Sequence, residues 1–245
     1  MKDQPVSARR GLLKALAVGV PGAVWAPHAA AAPEATPAPA AAPPNRTLKF
    51  FNAQEALAMD AIAARLIPAD ELGPGAKEAG VTPFIDGQLA GAWGAGEQFY
   101  RQGPFEAGTP EQGYQLSFTP AEMFRRGLAA LDAAARKQDG KPYAELDAQR
   151  QDAWLHDMQA GKPDFSPLPS AVFFQALLDA TIEGFFSDPL YGGNIDMVGW
   201  KLVGFPGAYA SFSNDIERHG VIWAGRPVSI ANAHVHTMKP GDGHG

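Results

Sequence analysis

The sequence predicts an all-α, or at least mainly α, domain: an irregular helical fold with long loops and few or no strands. Three observations predict it. Apolar residues recur at helical spacing in five segments, each opened by a capping residue and closed by glycine or proline. Runs that alternate apolar with polar are nearly absent, and the connecting stretches are rich in Gly, Gln and Pro.

The first helix follows a short extended lead-in, Leu48 to Phe51. Asn52 with Glu55 three residues on is a capping-box pattern, and Leu57, Met59, Ile62, Ala63 and Leu66 form an apolar face as far as Ile67. Pro68 ends it. Asp70 to Gly80 is a turn-rich loop, and Thr82-Pro83 predicts a cap followed by an N1 proline, with a helix to about Trp93. Gly94 to Ser117 carries Phe99, Tyr100, Phe105 and Tyr114 in a loop long enough to imply a function or a partner.

Thr119-Pro120 with Glu122 repeats the capping pattern and places Phe124, Leu128, Leu131 and Ala135 on one face. After the break at Gly140 and Pro142, Leu146-Asp147 opens a helix to about Ala160, with Trp154, Leu155 and Met158 inward and Gly161 as its stop. Ser170 is read as the cap of the last helix, which reaches Phe186. There Phe173, Phe174, Leu177, Leu178, Ile182 and Phe185 leave little polar face, the mark of a helix central to the domain or to an interface. Asp188-Pro189 stops it. Beyond Gly207 the period fades, with Val221-Ile222-Trp223 and Val228-Ser229-Ile230 as candidate extended pieces.

The N-terminal segment reads as targeting sequence. Arg9-Arg10-Gly11-Leu12-Leu13-Lys14 is a twin-arginine motif, followed by a weakly apolar stretch and the small residues Ala29-Ala30-Ala31. The apolar part is too short to span a bilayer, which takes about 20 residues. This predicts a Tat signal over 1–31, an Ala/Pro-rich spacer over 32–47 and a single domain over 48–245, exported to the periplasm. Tat export moves folded proteins, so a signal on a domain without a cofactor motif implies that the folded cargo includes a partner.

Formal charge is −6, and the segment to residue 31 carries +3, which leaves −9 on the rest. That sign, with no basic run, excludes a nucleic-acid partner. Cysteine is absent, which excludes disulfides, thiolate-ligated clusters, covalent c-type haem and cysteine nucleophiles.

Several candidate sites arise and most have plainer explanations. His234 and His236, with His219 and His244, form the best metal-like cluster, and a free-standing periplasmic metal-binding protein is the alternative functional reading. Solvated histidines near the terminus explain the same residues. Asp179 and Glu183 share one face of the last helix, as an acid–base pair would, or as a helix edge meeting solvent or an arginine such as Arg65, Arg125 or Arg126. Gly73-Pro74-Gly75 lacks the spacing and the preceding strand of a dinucleotide loop. Ser211, Ser213 and His219 lack the nucleophile motif of a hydrolase, and His156 reads as a surface residue. No catalytic, cofactor-binding or metal-binding residue is assigned.

The most distinctive stretch is Ser187 to Gly207. Gly192, Gly193 and Asn194 tolerate positive φ, and Tyr191, Trp200 and Phe205 place aromatic surface on an irregular segment. Such aromatics either plug the loop into its own core or anchor a partner. Asp188-Pro189-Leu190-Tyr191-Gly192-Gly193-Asn194, Gly199-Trp200-Lys201 and Gly204-Phe205-Pro206-Gly207 closely resemble the signature of the gluconate 2-dehydrogenase subunit 3 family. Phe50-Phe51 with Glu55, Arg65 to Asp70, Gly73 to Ala76, Glu78 to Val81 and Phe84-Ile85-Asp86 look like its N-terminal half.

The resemblance implies a non-catalytic small subunit of a membrane-associated dehydrogenase complex. Its implied partners are an FAD-bearing flavoprotein large subunit, which oxidises a polyol, sugar or sugar acid, and a multihaem cytochrome c subunit carrying haem c. The small subunit would carry the Tat signal and act as a chaperone for the flavoprotein, touching the membrane only through the complex. Tyr191, Gly192, Gly193, Asn194, Trp200, Phe205 and Pro206 are the residues expected in or beneath the surface that grips the flavoprotein, with Arg9 and Arg10 in the signal.

Overall fold

Helix starts in this chain are set by a capping side chain in some helices and by backbone conformation in others. In the computed structural model, which describes residues 47–106, 108–109, 112–208, 217, 219–220 and 226–233, eight α-helices follow one another. They are α1 (Ala53–Leu66), α2 (Val81–Leu89), α3 (Ala92–Ala95), α4 (Pro120–Asp139), α5 (Ala148–Gln159), α6 (Ser170–Phe186), α7 (Val198–Val203) and α8 (Ile230–Ala233). The described residues contain no strand, only the isolated bridges Asp70–Gly73 and Gly207–Val228. The fold is mainly α, as predicted. The signal segment, nearly all of the spacer, Ser211, Ser213, Val221 to Trp223, His234, His236 and His244 lie outside the described residues.

Side-chain caps form at Asn52, Thr119 and Asp147, with complete capping boxes at the first two. Two starts differ from expectation. Gly80, at φ 75°, occupies the cap position of α2, so Thr82 falls inside the first turn and its buried hydroxyl finds no partner. Pro169 takes the same position for α6, and the Ser170 hydroxyl is likewise buried without a partner. α2 also ends at Leu89 rather than near Trp93, which belongs to the separate single-turn α3.

α6 lies at the centre, packed against α1, α2, α4, α5 and α7. Phe173, Leu177, Phe185 and Thr181 are almost fully buried along it. On α1 the inward face is Ala58, Met59, Ile62 and Ala63, whereas Leu57 is 61% exposed. One residue is about 100° of helical rotation, enough to carry Leu57 out of the face assigned to it. On α4 Phe124, Leu128, Leu131 and Ala135 are all buried, as their spacing requires. Gly127 lets the Phe173 ring lie directly on α4, since a Cβ there would stand 2.5 Å from the ring.

Three carboxylates fasten the bundle. Asp152 receives Arg65 through two bonds of 2.6 Å, joining α5 to α1. Asp139, at the end of α4, accepts from Arg150 Nε at 2.7 Å and Trp154 Nε1 at 2.8 Å on α5. Buried Asp86 accepts from three successive backbone N–H groups: Lys49 at 2.7 Å, Phe50 at 2.9 Å and Phe51 at 2.8 Å. Arg125 completes that anchor. It lies 4.1 Å from the Phe50 ring centre, donates to the Phe50 carbonyl at 2.9 Å and pairs with Glu55.

Candidate functional site

The segment after α6 turns back over that helix because its glycines let backbone touch backbone. At Gly193 a Cβ would overlap the Gly184 carbonyl oxygen, and at Gly199 it would overlap that of Phe185. Gly184 is itself pressed against the Phe84 ring, so the helix meets the loop backbone to backbone and meets α2 through side chains of α2.

Asn194 organises the loop. It is fully buried at φ 47°, its Nδ2 donates to Ser187 O at 2.8 Å, and its Oδ1 accepts from Gly199 N at 2.8 Å. The expected run of positive φ is distributed differently. Gly192 and Asn194 have it and Gly193 does not, whereas Asp196 and Met197, both at φ 57°, do. Ile195 N donates to Ala79 O at 3.0 Å, and a Cβ on Gly80 would stand 2.5 Å from Ile195 Cδ1. The turn-rich loop before α2 and the block after α6 are therefore one packed unit.

The residues expected in or beneath the partner surface separate into two groups. Gly192, Gly193, Asn194 and Trp200 are buried. The Trp200 indole N–H donates to Phe186 O at 2.8 Å, so this ring plugs the loop into its own core. Tyr191 is 57% and Phe205 46% exposed, with Phe205 edge-on to Trp200 at 5.2 Å, and Pro206 is half-buried between the two environments. Leu190 and Val203, which sequence reasoning did not single out, are exposed beside them in the chain.

Large apolar side chains exposed on a backbone tied down by hydrogen bonds meet one requirement of an interface anchor, because little loop ordering would oppose association.

The other candidates resolve toward their plainer explanations. Asp179 and Glu183 are exposed; Asp179 accepts from Gln175 at 2.7 Å, and neither meets an arginine, since Arg65 and Arg125 are paired elsewhere. Partial desolvation where Glu183 lines the α2–α3 cleft, and then the Asp179 charge, push its carboxyl above its ordinary value. His156 and His219 are exposed. Among the described residues no three His, Cys, Asp or Glu side chains form a metal-holding group, and no helix is long and apolar enough to cross a membrane.

Comparison with curated proteins and with solved structures gives no match. The family described as Gluconate 2-dehydrogenase subunit 3 matches residues 53–207, which begin at α1 and end at the bridge residue Gly207. Matched over more than half of its length, with both loops of the packed unit inside the match, the chain belongs to the gluconate 2-dehydrogenase subunit 3 family.

Proposed function

We propose that this chain is the non-catalytic small subunit of an FAD-dependent, gluconate 2-dehydrogenase-type complex, and that it pairs with the flavoprotein large subunit through the block after α6. The observation that carries this reading is the exposure of Leu190, Tyr191, Val203 and Phe205 on a backbone fixed by Asn194 and Trp200. Family membership supports it, since the family is named for a subunit of a larger dehydrogenase.

In this reading FAD belongs to the large subunit and haem c to a cytochrome subunit that passes electrons onward. The small subunit binds the flavoprotein in the cytoplasm, aids its folding, and takes it through the Tat pathway by the signal containing Arg9 and Arg10. The complex then works in the periplasm, peripheral to the inner membrane.

The test is affinity purification of the tagged chain from its own host, with an absorption spectrum of the eluate. A large polypeptide with a flavin band is expected with the wild type and is lost with Tyr191→Asp/Phe205→Asp, while the melting temperature stays unchanged. A colourless, solitary wild-type protein overturns the reading. Replacing Arg9 and Arg10 by Lys should strand both polypeptides in the cytoplasm, and export of the flavoprotein without them rejects the shared-signal step.

A further inference from the structure

The family match ends at Gly207, yet the structure continues the same surface with a segment from far along the chain. Residues 226–233 return to lie across the block after α6. Val228 N donates to Pro206 O at 3.1 Å and Ala208 N donates to Val228 O at 2.7 Å. The approach is close enough that a Cβ on Gly207 would overlap the Val228 carbonyl oxygen. At the next two residues, buried Ser229 donates through Oγ to Asp188 Oδ1 at 2.7 Å, and Ile230 N donates to Asp188 Oδ2 at 2.8 Å.

Asp188 is shared between both parts of the chain. Its Oδ1 also accepts from Leu190 N at 2.9 Å, so one buried carboxylate holds the backbone nitrogens of Leu190 and Ile230. The side chains on those two residues are 55% and 45% exposed. At its other end the segment is tied beside Phe205, through Pro206. Val228 to Ile230 thus spans from the Phe205 side of the surface to the Leu190–Tyr191 side, adding an exposed isoleucine.

We infer that residues 228–230 are part of the docking surface, with Ile230 contacting an apolar patch of the large subunit and Asp188 acting as the positioning residue that holds it there. The occupant follows from the proposed pairing with the flavoprotein, on which this inference rests. The surface then has a portion inside the family match and a portion beyond it.

The experiment uses the complex co-expressed in its host, with Ile230→Ser, Ser229→Ala and, as a control, Leu57→Ser on the exposed side of α1. Dissociation constants of the purified subunits and melting temperatures of the small subunit are read together. Ile230→Ser is expected to weaken binding about tenfold with an unchanged melting temperature, because a contact residue at an interface acts on affinity and not on the free fold. Leu57→Ser should bind as the wild type. Ser229→Ala should weaken binding in the same direction, by releasing the segment from Asp188.

If both segment variants bind like the wild type while Tyr191→Asp/Phe205→Asp does not, the inference is overturned and the pairing stands. If the wild type brings no flavoprotein, the pairing itself fails and the inference with it. Should Ile230→Ser fail to fold, Ile230→Val, which shortens the side chain without adding a polar group, must still weaken binding measurably or the inference is rejected.

Discussion

Trp200 donates its indole N–H to the carbonyl of Phe186, and this 2.8 Å bond joins the last residue of α6 to α7, whose last residue is the exposed Val203. The indole is 6% exposed, so Trp200→Ala removes both a packed ring and the partner of a helix-end carbonyl. A loss of about 3–5 kcal/mol is expected from such a truncation. Trp200→Phe should recover most of it. Urea denaturation measures both, and equal losses in the two variants would show that the hydrogen bond, not the ring, dominates.

Asn194 combines a left-handed backbone with two buried hydrogen bonds. Asn194→Gly keeps the conformation and loses the bonds, at a cost of about 1–3 kcal/mol. Asn194→Ala loses the bonds and also strains the backbone, adding about 1 kcal/mol. The predicted order of midpoints in urea is wild type, then glycine, then alanine; alanine above glycine would mean that the left-handed geometry is not maintained.

Gly87 and Gly184 are both helical, yet their alanine variants should change stability in opposite directions. Around Gly87 a Cβ meets open space, and Gly87→Ala should stabilise α2 by about 0.5–1 kcal/mol. At Gly184 a Cβ would stand 2.8 Å from the Phe84 ring, and overpacking there should cost about 1–3 kcal/mol. Thermal melts of the two variants are sufficient.

Asp139 and Glu183 predict opposite pH effects. The hydrogen bond from Arg150 holds the Asp139 carboxyl below its ordinary value of 3.8. Its contribution is present above that value and is lost as pH falls through the lower, folded one. Asp139→Asn should therefore flatten the acid limb of the stability curve. Glu183, raised above 4.5 by burial and by Asp179, binds its proton more readily in the folded state. Folding is opposed by its charge at neutral pH, and Glu183→Gln should stabilise there, with the gain fading as pH falls through the raised folded value and gone below about 4.5. A gain that persists at acid pH would point to the amide's own contacts.

Asp86 holds Lys49, Phe50 and Phe51 by their backbones, and asparagine would offer a single acceptor oxygen to three donors. Asp86→Asn is expected to cost about 2–4 kcal/mol, on the scale of buried hydrogen bonds to a charged group. It should also open the chain before α1 to proteolysis. Wild-type resistance at residues 47–52 in the variant would mean that the Arg125 contacts to Phe50 and Glu55 suffice.

Much of this architecture was legible because its signals are local. Asn52 and Thr119 sit three residues before glutamates that close their capping boxes, so two helix starts could be read directly. The starts at Gly80 and Pro169 were misplaced for the complementary reason: there backbone conformation sets the boundary, and the nearby hydroxyls of Thr82 and Ser170 are decoys. The block after α6 was recognisable from its residues, but which of them face outward was not. Trp200 goes in and Leu190 goes out in a stretch with no period from which to read direction. Asp188 read as a helix stop; its bonds to Ser229 and Ile230 cross 41 and 42 positions, and no local pattern announces them. Asp86 gave no sign of its role either, since its partners are main-chain groups that any sequence supplies.

Backbone pressed on backbone at Gly184 and Gly193 has a thermodynamic corollary. A loop without slack cannot keep its shape when the helix beneath it melts, so Leu190 and Tyr191 hold their positions only in molecules whose core is assembled. A ligand of that surface is consequently a ligand of the native state alone. At a hundred times its dissociation constant it would deepen the native well by about 2.7 kcal/mol, and it would leave every misfolded copy behind.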